Sequence, residues 1–470
     1  MRLFFKNIGP IRTAEIDLNK KISVFCGPNN TGKTYISYVL YAFTRLIISH
    51  PEDKLTEEQV QDFINKKYLE ISFDLDRFYE LMQERLNNIT NDLATIFGLS
   101  EAMGKKLFPN FVLELNLDKD SYKSHVKKSQ YDLNIFFQNK LLAEVKKNAN
   151  SNVLVIKNKM PQIGVDEKQS IQDGLLSQIY FKMLISPVYT SHFFPVERNC
   201  LYSYYKDILI NRNQLFDFLH NMEDTNRTKA LNYVLQNTSK FPLVISHTLD
   251  NANMMSRLSN ETGTYSSLAD EIERSILKGK VSLTEDGELR FASKQAPDKI
   301  VPIPLSASMT KSISGLVFYL RHFSAEGDML FIDEPEINCH PDTQILLTRI
   351  FAKMVRAGIR LVISTHSDYI IRELNNLIML FNASKKMGTR LLKEMGYSKD
   401  LFLNPNELGA YLFTYGENNN VDVQSIEVTD SGFEVSTIDD TISKLNEISE
   451  TLYYELRYGK EKKTKQKGDA

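Results

Sequence analysis

The amino-acid sequence predicts an α/β fold in which helices pack on a mainly parallel sheet. Three compact apolar runs, 22–25, 329–332 and 361–363, each end in polar residues, as buried parallel strands do at the edge of a sheet. Between 301 and 380 strand and helix patterns alternate three times, which is typical of a sheet covered by helices. The sheet would therefore be assembled from both ends of the chain.

Composition is that of a folded protein. The chain has 470 residues, of which 42% are hydrophobic and 25% charged, enough for two or three domains or for one domain with large insertions. No stretch of about 20 apolar residues occurs, so we expect a cytoplasmic protein without a membrane partner. The net charge of −2 argues against a protein that coats nucleic acid by bulk attraction. Three distant cysteines support neither a disulfide framework nor a zinc site.

Periodicity divides the chain into seven parts. Residues 49–187 and 200–279 have mostly helical patterns and are expected to be insertions, although 111–117 and 153–156 have strand patterns. Residues 280–283 and 289–292 flank turn residues and predict a hairpin. The division is 1–48 for an N-terminal lobe, 49–187 for the first insertion, 188–199 for a return to the main domain, 200–279 for the second insertion, 280–380 for a C-terminal lobe, 381–458 for a strand and helix extension and 459–470 for a basic tail.

The strongest motif follows the first apolar run. Residues 27–34, Gly-Pro-Asn-Asn-Thr-Gly-Lys-Thr, match G-x-x-x-x-G-K-[ST] between a predicted strand and a predicted helix. Main-chain N–H groups of such a loop bind phosphate oxygens at a helix N-terminus. Lys33 is expected to reach the β and γ phosphates, and Thr34 to offer its hydroxyl to Mg²⁺. The candidate ATP-binding residues are Gly27, Asn29, Asn30, Thr31, Gly32, Lys33 and Thr34.

Two carboxylates follow the second apolar run. Asp333 is expected to hold the magnesium ion. Glu334 would position or deprotonate a water that attacks the γ-phosphate. A strand followed by an ordinary charged loop is the alternative, which Lys33 upstream disfavours.

A histidine follows the third apolar run, about thirty residues after Glu334. His366 can donate a hydrogen bond to the γ-phosphate or to the attacking water, and so respond to the presence of that phosphate. A structural histidine is the alternative. Three strands that deliver polar groups to one sheet edge favour a ligand site there.

The order of these motifs resembles a known family. The loop 27–34, the long helical insertions, Asp333-Glu334-Pro335-Glu336, His340-Pro341 and Ser364-Thr365-His366-Ser367 resemble the ABC-type ATPases of the SMC and OLD branch, most closely the OLD-like AAA-family ATPases of bacterial anti-phage systems such as the phage anti-restriction-induced system. The resemblance implies an ABC/SMC-like P-loop ATPase head with ATP and Mg²⁺ as cofactors. It also implies that heads dimerise and trap two ATP molecules between them.

By that resemblance the signature motif is 305–312, Leu-Ser-Ala-Ser-Met-Thr-Lys-Ser, which departs from Leu-Ser-Gly-Gly. Ser308 is expected to contact the γ-phosphate of the partner subunit's ATP. Capping of the following helix by Ser306 or Ser308 is a second, compatible interpretation. Arg198 lies in a segment that recurs after the first insertion in these ATPases, and either contacts phosphate or closes a structural salt bridge.

The resemblance implies a sensor or scaffold ATPase, with slow or triggered turnover, that controls a separate effector protein, expected to be a nuclease, in response to DNA or a phage protein. No Toprim pattern with an Asp-x-Asp pair follows His366, so no intrinsic nuclease is expected. The alternative is a DNA-binding SMC-like repair or recombination ATPase. Its clearest basic cluster comprises Lys123, Lys127, Lys128, Lys146 and Lys147, for which a solvated helix face is the simpler interpretation.

Overall fold

The computed structural model describes most of the chain. The described residues are 1–46, 53–137, 140–161, 165–185, 188, 190–203, 205, 241–258, 262–284, 287–383, 392, 394–416 and 420–465. Their strands are β1 (Arg2–Ile8), β2 (Ile11–Asp17), β3 (Ile22–Cys26), β4 (Tyr68–Ser72), β5 (Val112–Leu115), β6 (Tyr131–Phe137), β7 (Lys140–Lys147), β8 (Val153–Asn158), β9 (Ser191–Phe194), β10 (Gly279–Leu283), β11 (Leu289–Ser293), β12 (Ala296–Pro302), β13 (Met329–Asp333), β14 (Arg360–Thr365), β15 (Leu408–Tyr415) and β16 (Val421–Ile426).

The helices are distributed between and around these strands. They are α1 (Lys33–Arg45), α2 (Glu57–Asn65), α3 (Leu75–Asn91), α4 (Leu93–Ile96), α5 (Glu101–Leu107), α6 (Lys119–Lys128), α7 (Val165–Ile185), α8 (Leu243–Leu258), α9 (Ser266–Ile272), α10 (Ser308–His322), α11 (Pro341–Arg356), α12 (Asp368–Ala383) and α13 (Ser436–Lys465). A π-helical turn, Glu273–Leu277, continues α9.

A large sheet joins the two ends of the chain. In the described part its strand order is β5-β1-β2-β16-β15-β3-β14-β13-β9. The five strands from β15 to β9 are parallel to one another, β15 is antiparallel to its other neighbour β16, and β5, β1 and β2 form an antiparallel lobe. The predicted α/β fold class is therefore confirmed.

The central strands are buried on both faces, which explains their continuous apolar runs. In β13, Phe331 packs in a core with α1 and the first insertion, whereas Leu330 and Ile332 pack in a second core with α10, α11 and α12. In β3, Phe25 and Val24 divide between the two cores in the same way. Alternate side chains of one strand thus anchor two helical layers.

The register of three strands places their carboxyl ends level. Asp333 of β13 pairs with Ser364 of β14, and Ser364 pairs with Phe25 of β3. The loops that follow these strands contain the three predicted motifs. The parallel sheet therefore brings the motifs to one edge, as expected.

The first insertion contains more strand than the sequence predicted. Strands β4, β8, β7 and β6 form an antiparallel sheet, and only β8 and β5 lie where strands were expected. The sequence of β7, Lys-Leu-Leu-Ala-Glu-Val-Lys-Lys, is rich in good helix formers, so its local preference was misleading. Pairing with β6 and β8 overrides that preference.

A buried arginine fixes the first insertion to the helix of the phosphate-binding loop. Arg85 of α3 donates hydrogen bonds to the carbonyl oxygens of Phe43 and, at 2.7 Å, Leu46, at the end of α1. Burial lowers the pKa of Arg85 to about 9. The insertion is thus packed against the main domain at α1.

The second insertion is described in part. Helices α8 and α9 are helical as predicted, while residues 206–240 lie outside the described residues. The predicted hairpin is confirmed by the antiparallel pairing of β10 with β11, to which β12 adds a third strand. The predicted division into seven parts itself stays a prediction.

The C-terminal segment differs from the expected extension. Strand β15 pairs with β3, and β16 pairs with β2, so both lie inside the main sheet. Helix α13 also continues to Lys465, beyond the predicted start of the basic tail at 459. Neither pairing has a local sequence signal, because each joins residues about 400 positions apart. No helix among the described residues is long and apolar enough to cross a membrane.

The central position of β15 predicts how truncations behave. A chain that ends at Leu403 should fail to fold, because it loses the buried β15 residues Ala410 and Phe413 and exposes the edge of β3. A chain that ends at Val435 keeps the whole sheet and should unfold within about 4 °C of the full chain. Thermal unfolding followed by circular dichroism measures both. Cooperative unfolding of the shorter chain near the full-length temperature would contradict this prediction.

Candidate functional site

The loop after β3 is shaped by two glycines. Gly27 has φ 135°, and a Cβ atom there would lie 2.1 Å from the carbonyl oxygen of Phe413 in β15. Gly32 has φ 86°, and its Cβ would lie 2.9 Å from Cδ1 of Ile11. Side chains are therefore excluded at both positions, and the loop can turn tightly against β15 and β2.

The start of α1 is open to an anion. Gly32 caps the helix without a side-chain hydrogen bond, and the first turn has no acidic residue. Asn29, Asn30 and Thr34 are exposed there, while Thr31 is buried and donates a 2.8 Å hydrogen bond to the Pro28 carbonyl. The N–H groups of this helix end and its partial positive charge suit phosphate oxygens.

Sequence reasoning missed a residue beside this loop. The Tyr415 hydroxyl, at the end of β15, donates a 2.8 Å hydrogen bond to the carbonyl oxygen of Asn29. In the sequence, Tyr415 lies in a strand pattern far from the loop, which gives no sign of this contact. Tyr415 thus ties the exposed part of the loop to the C-terminal half of the sheet.

Lys33 is folded back on its own loop. Its Nζ donates hydrogen bonds of 3.1 Å to the Gly27 carbonyl and 2.7 Å to the Pro28 carbonyl. Burial lowers the pKa of Lys33 to about 8, while the charges of Glu334 and Asp333 act in the opposite sense. The ammonium group therefore lies within electrostatic reach of both carboxylates.

Asp333 ends β13 in a buried position. One carboxylate oxygen accepts a 2.8 Å hydrogen bond from the Ser364 hydroxyl at the end of β14. Burial raises the pKa of Asp333 to about 6. Ser364, which the sequence analysis included only as part of a motif, thus orients the carboxylate predicted to hold Mg²⁺.

Glu334 has an unusual backbone conformation. Its φ is 45°, the left-handed region that non-glycine residues rarely adopt. Its N–H donates a 3.0 Å hydrogen bond to the Ser364 carbonyl, which fixes the main chain at this point. The side chain is partly exposed, and its charge acts on Lys33. Such outliers concentrate at functional sites, which agrees with the predicted catalytic role of Glu334.

His366 lies on the loop after β14 and is held by a second carboxylate. The main-chain N–H of His366 donates a 2.6 Å hydrogen bond to Oε1 of Glu336. The other carboxylate oxygen of Glu336, Oε2, is buried without a hydrogen-bond partner among the described residues. Burial, and then the charge of Lys33, lower the pKa of His366 to about 4. The imidazole is therefore neutral near pH 7, with one nitrogen able to donate and the other able to accept. Glu336 was quoted in a motif without a role.

Arg198 binds main-chain carbonyls and does not form the salt bridge considered from sequence, while its contact with phosphate stays a prediction. Its buried guanidinium donates to four main-chain carbonyls: Ser312 at 3.2 Å, Pro195 at 2.9 Å, Asp333 at 2.7 Å and Glu334 at 2.8 Å. In this structure it joins the return segment, α10 and the end of β13. Its contacts are structural, but they are to carbonyls and not to a carboxylate.

The signature segment is exposed at Leu305, Ala307 and Ser308, and its helix has no side-chain cap. Ala307 precedes α10 and makes no side-chain cap. Ser306 donates to the Ile303 carbonyl at 2.7 Å, and Ser308 is exposed at the first helical position. The capping interpretation is therefore wrong for both serines. Leu305, 77% exposed, lies beside them.

Polar side chains link the signature helix, the turn after Glu334 and the His366 loop. Ser312 of α10 donates to Asn199 at 2.7 Å and accepts a 3.3 Å hydrogen bond from Asn338. Gln344 of α11 donates to the Cys339 carbonyl at 2.8 Å and accepts a hydrogen bond from the Ser367 hydroxyl. These contacts form a polar route that connects α10, the turn after Glu334 and the loop of His366.

Most of the predicted basic cluster has structural partners. Lys147 is buried and donates to three carbonyl oxygens, and Lys123 and Lys146 form ion pairs with Asp76 at 2.8 Å and Asp132 at 3.1 Å. Lys127 and Lys128 are exposed on α6. The five lysines therefore do not act as one basic surface.

The arrangement fits a magnesium nucleotide. The exposed Thr34 hydroxyl and the Asp333 carboxylate offer oxygen ligands, which Mg²⁺ prefers. Among the described residues, no group of three or more His, Cys, Asp or Glu side chains could hold a metal. Mg²⁺ is commonly held by one or two protein ligands together with phosphates and water.

The chain is similar to a known family and to several solved structures. The model of the family described as AAA ATPase domain matches residues 2–371, which contain all of the motifs above. Among solved structures, the chain is similar to the SMC head bound to the C-winged helix domain of ScpA, with 9% identity, 91% of this chain and 97% of that chain covered, and a TM-score of 0.32.

Two further solved structures are similar. They are the SMC head domain with an extended coiled coil bound to the C-terminal domain of ScpA from Pyrococcus furiosus (10% identity, 95% of this chain and 98% of that chain, TM-score 0.29) and the SMC head domain from Thermotoga maritima (9% identity, 91% and 98%, TM-score 0.29). No curated protein matches the chain.

The lowered pKa of Lys33 predicts proton uptake when ATP binds. With a pKa of about 8, Lys33 is largely neutral at about pH 8.5, and a triphosphate would stabilise its ammonium form. We expect uptake of roughly 0.7 proton per ATP at that pH and under roughly 0.1 at about pH 7, where the group is already charged. Calorimetric titrations in two buffers of different ionisation enthalpy measure this. Equal heats in both buffers at the higher pH would contradict the prediction.

Proposed function

Because the chain belongs to the AAA ATPase domain family, we propose that it binds and hydrolyses ATP at the sheet edge after β3, β13 and β14. The observation that carries this proposal is the register of β3, β14 and β13, which brings the loop of Lys33 and the carboxylates Asp333 and Glu334, from distant parts of the sequence, to one sheet edge. The open N-terminus of α1 supports a phosphate ligand at the same edge.

Each residue has a distinct role in this proposal. Lys33 would exchange its two carbonyl contacts for the β and γ phosphates. Mg²⁺, when bound, would neutralise phosphate charge, with Thr34 and Asp333 as its protein ligands. The Glu334 carboxylate would accept a proton from the attacking water, and the neutral His366 imidazole would donate a hydrogen bond to the γ-phosphate.

We further propose that two copies meet across the nucleotide. The support is the exposed, uncapped N-terminus of α10, where Ser308 and the main-chain N–H groups have phosphate-binding character. The exposure of Leu305 beside it also suits a surface that a partner covers. Ser308 of one copy would contact the γ-phosphate held by the other.

The biological role is proposed on the sequence resemblance to OLD-like ATPases of anti-phage systems. We propose a sensor or scaffold subunit, with slow or triggered turnover, that controls a separate effector, most simply a nuclease, after contact with DNA or a phage protein. The polar route through Ser312 and Gln344 supports coupling between nucleotide state and surface. A DNA-clamping repair ATPase has less support, because Lys123, Lys146 and Lys147 already have partners.

The ATPase proposal predicts separable effects of two substitutions. Glu334→Gln should lower kcat at least about 100-fold and leave ATP bound, because the substitution removes the base but keeps the loop. Lys33→Ala should weaken ATP binding itself. Retention of labelled ATP through gel filtration, together with phosphate release, distinguishes the two.

Ser308→Arg in the Glu334→Gln chain tests the trans contact. It should leave ATP binding intact but abolish retention, because the nucleotide is no longer enclosed by the second copy. Ser306→Arg is the matched control, two residues before the proposed contact and outside α10. Wild-type hydrolysis by Glu334→Gln would overturn the assignment of the base, and unchanged retention by the Ser308 variant would overturn the trans contact.

The effector proposal is tested by co-expression with the genomic neighbours. We expect a stoichiometric complex with a nuclease-like protein that rearranges on a trigger when ATP is present. Purification with and without ATP, with mass determination, measures this. An ATP-dependent homodimer that retains duplex DNA and no neighbour would favour the repair function instead.

A further inference from the structure

Helix α13 has little contact with the rest of the protein. It has 30 residues, about 45 Å in length. Its base is anchored, since Val435 is buried and Ile438 packs against the core to which α12 also contributes. From 443 to 457, however, every residue is exposed. In proteins most of the stability of a helix comes from the packing of its apolar face, and this part of α13 lacks such packing.

The exposed part has an apolar stripe. Leu445, Ile448, Leu452 and Leu456 are spaced three or four residues apart, so they lie on one face of the helix. Their exposed fractions run from 46% for Ile448 to 81% for Leu456. This spacing is typical of helices that pair in coiled coils.

The charges of α13 are segregated along its length. Residues 436–450 carry four carboxylates and one lysine, a net charge of −3. Residues 451–465 carry five basic and two acidic residues, a net charge of +3. Two such helices laid antiparallel would place the acidic half of each beside the basic half of the other. A parallel pair would place like charges together.

We propose that α13 is a self-association surface, on which a second copy of this chain docks its own α13 in antiparallel orientation. The stripe supplies the apolar contact, and the charge segregation selects both the partner and the orientation. The segregation also favours a single helix through its macrodipole, but that effect leaves the leucines exposed. This contact does not involve the nucleotide site.

The first test measures the mass of the full chain without nucleotide, at about 10 µM, by light scattering after gel filtration. We expect a dimer of the 54.1 kDa chain. Replacing Leu445 and Leu452 together by Glu should raise the dimer dissociation constant at least about tenfold. Replacing Ser443 and Tyr454 by Glu places the same two charges on the opposite face and should leave the dimer intact.

The second test concerns orientation. Glu447→Lys with Glu450→Lys gives the first half a positive charge, so it should weaken an antiparallel dimer, whereas it would strengthen a parallel one by relieving the repulsion between the two acidic halves. Adding Arg457→Glu, Lys460→Glu and Lys462→Glu should restore the antiparallel dimer. None of these positions belongs to the proposed ATP site, and ATP hydrolysis is measured separately, so failure here is distinguishable from failure of the proposed function.

Three outcomes would overturn the proposal. A wild-type chain that is monomeric at this concentration would show that α13 is solvated or reserved for another protein. A dimer that survives the two leucine substitutions would place the contact elsewhere. A dimer that is insensitive to reversal of Glu447 and Glu450 would exclude the antiparallel arrangement.

Discussion

Three parallel strands that end level with one another determine where the chemistry of this protein can occur. Asp333, Ser364 and Phe25 are register partners across β13, β14 and β3. A slip of one residue would displace a strand end by about 3.3 Å and turn its side chains to the other face of the sheet. Asp333 would then lose the Ser364 hydroxyl, which it now meets at 2.8 Å.

Main-chain contacts hold this edge more than ion pairs do. Arg198 binds the carbonyls of Asp333 and Glu334, and Lys33 binds those of Gly27 and Pro28. Burial works against the charge of both Lys33 and Asp333, as the directions of their pKa shifts indicate. A magnesium nucleotide would supply opposite charge to each. The site therefore holds two charged groups whose burial is unfavourable. A bound magnesium nucleotide would offset that cost.

The sequence predicted those parts of the site that depend on local pattern. The loop 27–34 and the strand ends at Asp333 and His366 each combine an apolar run with polar residues, so a single chain segment carries the signal. Two other features depend on contacts between distant segments. Arg198 binds four carbonyls, and Glu336 holds the His366 main chain. No local pattern reports such contacts.

The same distinction explains the errors in the fold. Strand β7 has helix-forming residues and is a strand only because β6 and β8 flank it. Strand β15 has an ordinary strand pattern, and what could not be predicted was its position beside β3. The predicted capping of α10 was wrong for the opposite reason: the local pattern suits a cap, but Ser306 bonds to the Ile303 carbonyl and Ser308 is exposed, so the helix end stays open.

The two proposed contacts between copies of this chain, one at Ser308 and one at α13, would together change what ATP controls. A nucleotide-dependent contact at Ser308 between free chains would depend on chain concentration. If α13 already holds two chains together, closure of the two ATP sites becomes intramolecular, at an effective concentration in the millimolar range for a short connection. ATP would then change the arrangement of a permanent pair and not its formation. That behaviour suits a scaffold that must change its surface without releasing what is bound to it.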